Sequence, residues 1–150
     1  MPVFIAHRGN VSGPEPEYEN TKAYLREAYS MGFGVEVDLQ LYKDALHLGH
    51  DEPQEAVDYE FLIQPFVFCH AKTIETMQVL LEAGVHCFWH EEDKMTLTSQ
   101  GYMWCYPGVF PVYKNAIWLD LGGIKTPEIP SGILGVCGDS YMQVKWSLDK

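Results

Sequence analysis

The chain has 150 residues, 47% of them apolar and 13% aromatic, with a formal charge of −11. That composition suits a single globular domain with a sizeable core and excludes a disordered chain. The acidic balance argues against nucleic acid and against stable association with an anionic membrane, since both need basic surface, but it leaves room for an anionic small molecule at a local cationic cluster.

The first apolar run, "VFIAH" at 3–7, reads as a strand that ends abruptly in His7, Arg8 and Gly9. The N-terminus has no basic n-region and no long apolar h-region, and no run approaches the roughly 18 apolar residues of a membrane span. Neither a signal peptide nor a spanning helix is expected, and the chain reads as cytoplasmic. "EYENTKAYLREAYSMG" follows with a helical pattern on Ala23, Tyr24, Ala28 and Met31, and Gly32 as its stop. Strands are predicted over 34–41 and 45–50, then a short, weaker helical pattern in "EAVDYEFLI", then a strand over 65–70. "TIETMQVLLEAG" predicts a helix capped by Thr73, with Ile74, Met77, Leu80 and Leu81 on one face and Gly84 as its end. Further strands are predicted over 84–90, 101–106, 116–121 and 132–139.

Strands alternating with helices in the first half imply parallel βα units. Beyond residue 90 the helical patterns vanish, and Pro107, Gly108, Pro111, Gly122, Gly123, Pro127 and Pro130 punctuate strands and loops. With no internal repeat and no linker, 1–150 reads as one domain. The four cysteines form no CxxC pair and sit in apolar runs, so reduced, buried thiols are expected.

Strand alternation places Glu36 and Asp38 on one face of "VEVDLQ", with Val35, Val37 and Leu39 on the other. Two carboxylates so placed are either a solvated acidic edge or, if buried, partners of a cation, for which a hard divalent ion is the obvious choice. The same alternation puts His70 and Lys72 on one face with Phe66 and Phe68, and groups His86, Phe88 and His90. Six histidines are many for this length. His7, His50 and His70 all fall at strand ends, where α/β proteins assemble their sites.

"AHRG", "YENT" at 18–21 and "GVEVDLQLYKDALHLGHDEP" at 34–53 together resemble, in order and spacing, the glycerophosphodiester phosphodiesterase family of the phospholipase C-like superfamily. The resemblance covers about the first 53 residues. It implies a compact α/β fold, a TIM-type (β/α) barrel, here with several outer helices missing or replaced by loops in the C-terminal half. It also implies a metal-dependent phosphodiesterase acting on a small phosphodiester. His7 and His50 match the catalytic acid–base pair, Arg8 the phosphate-binding arginine, and Glu36 and Asp38 two metal-binding carboxylates. Glu19 and Asn20 match a motif whose glutamate lies near the metal. "GILGVCGDSY" resembles the family's final strand. Mg²⁺ or Ca²⁺ is the expected cofactor, with Mn²⁺ or Zn²⁺ as alternatives.

One departure concerns a later strand, where the family has Glu-x-Lys and this chain has "HAK": Lys72 fits the lysine, but His70 replaces the glutamate. Either Glu19 substitutes as a ligand or His70 serves as a phosphate donor, and an imidazole suits Zn²⁺ or Mn²⁺ better than Ca²⁺ or Mg²⁺. The segment 84–108 has no family counterpart; its aromatic residues line a pocket or form core plus a hairpin. A non-catalytic barrel that binds a phosphorylated ligand or a partner is the alternative to the enzyme, lipid cleavage is a third reading, and missing outer helices would favour a homo-oligomer.

Overall fold

The computed structural model describes residues 3–109, 111, 113–120 and 132–141. Ten strands and three helices follow in the order β1 (Val3–His7), α1 (Lys22–Ser30), β2 (Gly34–Tyr42), β3 (Ala45–Leu48), β4 (Glu55–Ala56), α2 (Tyr59–Leu62), β5 (Val67–Ala71), α3 (Ile74–Glu82), β6 (Cys87–Phe88), β7 (Met95–Leu97), β8 (Met103–Cys105), β9 (Ala116–Asp120) and β10 (Gly135–Gly138). The protein is a mixed α/β fold. The glycine- and proline-punctuated stretch from 122 to 130 lies outside the described residues. Among the described residues no helix follows α3, as expected, and no helix is long and apolar enough to cross a membrane.

The strands form one sheet whose parallel members run β6-β5-β2-β1-β10-β9-β8, with β3 and β4 added antiparallel beside β2 and β7 antiparallel to β8. Among the described residues its hydrogen-bonded ladder is not closed. β2 is the hub. Its first half pairs with β1, its second half with β3, and its other edge with β5. The β2–β3 hairpin turns on Lys43 and Asp44, both with positive φ (50° and 61°), the backbone that a two-residue turn between right-twisted strands requires.

Alternation sorts the apolar side chains into two cores. Val35, Val37, Leu39, Val67, Cys69 and Ala71 pack with Leu25 and Ala28 of α1 and Leu80 of α3. On the opposite face of the sheet, Ile5, Phe68, Phe88, Trp104, Ile117, Leu119 and Cys137 form a second cluster drawn from six of the parallel strands. The rings of Phe88 on β6 and Trp104 on β8 stack at 4.6 Å, which brings the two ends of the parallel run together. All four cysteines are free and buried.

The predicted cap at Thr73 forms, its side chain accepting from the Thr76 backbone N–H, and α1 is capped in the same way by Thr21, which accepts from the Tyr24 N–H. The helix faces differ from the expectation. In α1 the buried positions are Leu25 and Ala28, and Met31 is exposed. In α3 they are Thr76 and Leu80, while Ile74 and Leu81 face solvent. Thr76 is buried because its hydroxyl accepts from the Leu41 backbone N–H at 3.0 Å, tying the helix to β2. Phe66 does not share the His70 face; it sits before β5 in left-handed backbone (φ 62°) and is exposed.

Candidate active site

β1 ends because Arg8 and Gly9 adopt left-handed backbone in succession (φ 57° and 90°). A Cβ at Gly9 would stand 2.7 Å from the Tyr24 ring, so glycine is required there on space as well as on φ. The turn lifts Arg8 over the end of β2. Its guanidinium reaches Glu19 (Nη1–Oε1 3.3 Å) and Asp38 (Nε–Oδ2 3.1 Å). Asn20, also left-handed (φ 59°), is buried and brackets Asp38. Its Nδ2 donates to Asp38 Oδ2 at 2.9 Å and its Oδ1 accepts from the Asp38 N–H at 3.0 Å.

The solvated-edge alternative for Glu36 and Asp38 fails, because β2 is the hub of the sheet and the two residues are only 3% and 1% exposed. Carboxylates buried this deeply need positive partners. Asp38 and His70 are register partners across β2 and β5, and Oδ1 of the first lies 3.2 Å from Nδ1 of the second. Burial opposes Asp38 ionisation, yet His70, Arg8 and Asn20 outweigh it and hold the carboxyl well below the usual range. Burial pushes Glu36 up, and the neighbouring Asp38 charge adds to this. Two carboxylates so close disfavour joint ionisation, and a further cation between them would relieve it. Consistent with that, Glu36 Oε1 and Asp38 Oδ1 are buried without a hydrogen-bond partner. Donor atoms of Glu36, Asp38 and His70 all lie within 4.8 Å of one another. The three residues therefore fit a divalent metal ion on donor chemistry and on their unmet polar atoms.

His7 stands at the end of β1 with its Nδ1 2.9 Å from Asp139 Oδ1 and its Nε2 3.8 Å from Glu36 Oε2. Asn10 Nδ2 donates to the same Asp139 oxygen at 2.8 Å. Burial lowers the His7 pKa, but Glu36 and Asp139 more than offset this, and it ends above its ordinary value. His50 follows Gly49, whose φ of 146° and close approach to the Glu52 carbonyl leave no room for a side chain. His50 Nδ1 lies 2.8 Å from Asp51 Oδ1.

A cavity of about 390 Å³ collects these groups at the C-terminal ends of the parallel strands. His7, Arg8, Glu36, His50, His70 and Lys72 line it, opposite His90, Trp104 and Tyr106. A second cavity, of about 480 Å³, shares Arg8 and His50 and is bordered by Glu19, Asn20, Asp51 and Glu52. The segment 84–108 thus plays both anticipated parts: Phe88 and Trp104 are core, β7 and β8 form a hairpin, and His90, Trp104 and Tyr106 wall the cavity. His90 stacks on Tyr106 at 3.5 Å, and burial pushes the Tyr106 hydroxyl up.

Of the residues singled out in the sequence, His7, Arg8, Glu36, His50, His70 and Lys72 meet at one cavity, and Asp38 lies beneath them. Glu19 pairs with Arg8 and accepts from the Glu15 N–H at 3.0 Å, so it stands outside the Glu36–Asp38–His70 cluster. Asp139 and Asn10 had no assigned role. Asp139 follows β10, 132 residues from His7, and only the parallel β1–β10 pairing brings them together. No family model, no curated protein and no solved structure matches this chain.

Proposed function

We propose that this chain is a metal-dependent phosphodiester hydrolase acting on a small, water-soluble glycerophosphodiester-like substrate. In this reading the parallel strands wind into a compact TIM-type barrel whose interior is the Ile5–Phe68–Phe88–Trp104 cluster. The stacking of Phe88 on Trp104 supports that winding, as does the placement of His7, Arg8, His70 and Lys72 at the C-terminal ends of β1 and β5, with Glu36 in register beside His7.

One observation carries the functional reading. Two histidines, two cationic side chains and a buried carboxylate–imidazole cluster face a single cavity. Arg8 and Lys72 bind the phosphoryl oxygens and offset their charge. A divalent ion, when held by Glu36, Asp38 and His70, would supply Lewis-acid stabilisation of the same oxygens. Donation from His7 Nδ1 to Asp139 fixes the tautomer and leaves Nε2 to exchange a proton with the substrate. His50, with Nδ1 toward Asp51, likewise presents Nε2. One imidazole takes the proton of the attacking hydroxyl, and the other returns one to the leaving alkoxide.

The test is release of the alcohol from a panel of glycerophosphodiesters, before and after chelation and with each divalent ion restored. Turnover lost on chelation and recovered with an ion is the expected result; no turnover with any ion overturns the reading. His70 stands in the cluster where the resembled family has a glutamate, which favours the second reading of a phosphate-ligand-binding barrel without turnover. Saturable binding of a diester without product would support that one.

A further inference from the structure

We infer that the Glu36–Asp38–His70 centre selects a first-row transition ion (Mn²⁺, Fe²⁺, Co²⁺ or Zn²⁺) over Mg²⁺ and Ca²⁺. The inference rests on the reading of this cluster as a metal centre, and it adds which class of ion the centre takes.

Three observations lead there. Asp38 Oδ1 lies 3.2 Å from His70 Nδ1, close enough to attract it electrostatically but not aligned as a hydrogen bond, so this buried oxygen keeps a lone pair unmet. Two neighbouring donors on one ion, each about 2.1 Å from it, sit roughly 3 Å apart. The donor set is also fixed by the fold. Asp38 and His70 are register partners on adjacent parallel strands, and the His70 ring is stacked on Phe88 at 4.9 Å and 12°. The imidazole cannot swing aside to be replaced by water without losing that stack. Finally, the oxygen supply is short. Asp38 Oδ2 already accepts from Asn20 and faces Arg8 Nε, which leaves one oxygen of Asp38 for an ion. Ca²⁺ takes six to eight oxygens, often from bidentate carboxylates, and Mg²⁺ takes oxygen almost without exception. An imidazole nitrogen with two carboxylates suits the later divalent ions.

The experiment uses the chelator-treated full chain and no phosphodiester. Mg²⁺, Ca²⁺, Mn²⁺, Co²⁺ and Zn²⁺ are each titrated calorimetrically, and the visible absorption of the Co²⁺ form is recorded. Mn²⁺, Co²⁺ and Zn²⁺ are expected to bind on the order of a hundredfold tighter than Mg²⁺ or Ca²⁺. His70→Glu should close that gap and change the Co²⁺ spectrum. His70→Gln, with thermal melting to check folding, should weaken Zn²⁺ by more than the roughly 10- to 100-fold that losing a partner of a ligand costs. Equal or tighter Mg²⁺ or Ca²⁺ binding overturns the inference, as does a Co²⁺ spectrum unchanged in His70→Glu, or no binding of any ion. Because no turnover is measured, failure here is separate from failure of the hydrolase reading: a chain that prefers Mg²⁺ and hydrolyses diesters would refute only the ion assignment.

Discussion

Replacing Asp139 by asparagine isolates the contact that orients His7. The carboxylate accepts from His7 Nδ1 at 2.9 Å and from Asn10 Nδ2 at 2.8 Å, and its side chain is 8% exposed. Asparagine keeps the shape and removes the charge; both donors meet the same oxygen, so a carbonyl placed there can still accept from both and what is lost is the charge. A hydrogen bond to a charged group contributes about 1.5–3 kcal/mol. A neutral carbonyl keeps roughly half of that, and at 1.36 kcal/mol per pKa unit losing the rest lowers the His7 pKa by about one unit. The sign follows from the causes: burial pulls His7 down, Glu36 and Asp139 lift it, and one of the two lifting groups is gone. Ring-proton NMR titration of His7 measures the shift without a substrate. The limb of the kcat/KM profile governed by His7 should move to lower pH by the same amount, and kcat should fall by about 10²- to 10⁴-fold. The reasoning is refuted if the His7 titration does not move and kcat/KM stays within about threefold of wild type.

Burial holds His86 at about 4, and its Nε2 lies 2.6 Å from Thr98 Oγ1. An unfolded histidine titrates near 6.5, so between those values the unfolded chain binds more protons and stability falls as pH drops from about 6.5 to 4. Denaturant melts at pH 7 and 4.5 should show His86→Gln removing up to roughly 3 kcal/mol of that loss. Burial raises the thiols of Cys69, Cys87, Cys105 and Cys137, so a disulfide reagent should label none of them in the native protein and all four after unfolding. Gly49→Ala forces a Cβ against the Glu52 carbonyl beside His50; turnover should drop at least as much as melting temperature, with Gly84→Ala, where nothing crowds the site, as the control for φ alone. Phe68→Ala should cost about 3–5 kcal/mol by denaturant titration, since the ring is fully buried against Trp104 at 5.2 Å.

The period of two in "VEVDLQ" was enough to put Glu36 and Asp38 on one face, because a strand leaves its side chains no other choice. It could not decide between solvent and interior; that depends on β1 and β5 flanking β2, which are pairings across sequence. Local chemistry announced the helix start at Thr73, and the same cap chemistry at Thr21 went unread. The buried faces were harder to read, since Thr76 is inside with its hydroxyl bonded to the Leu41 N–H while apolar Ile74 is outside. β4 and β7 were missed because two and three residues of mixed polarity show no alternation. The aspartate ending "GVCGD" closed a recognisable strand, but its pairing with His7 needs β10 beside β1. His90 and Tyr106 join the cavity for the same non-local reason.

The most direct measurement of the central claim is kcat/KM for the best glycerophosphodiester with its preferred ion, compared among wild type, His7→Ala, His50→Ala and the double variant, each checked for native melting. The account predicts losses of about 10²- to 10⁴-fold in each single variant, and a double-variant loss well short of their product because the two imidazoles act in one proton relay. Turnover undiminished in the folded double variant would contradict it, whatever ion the protein holds.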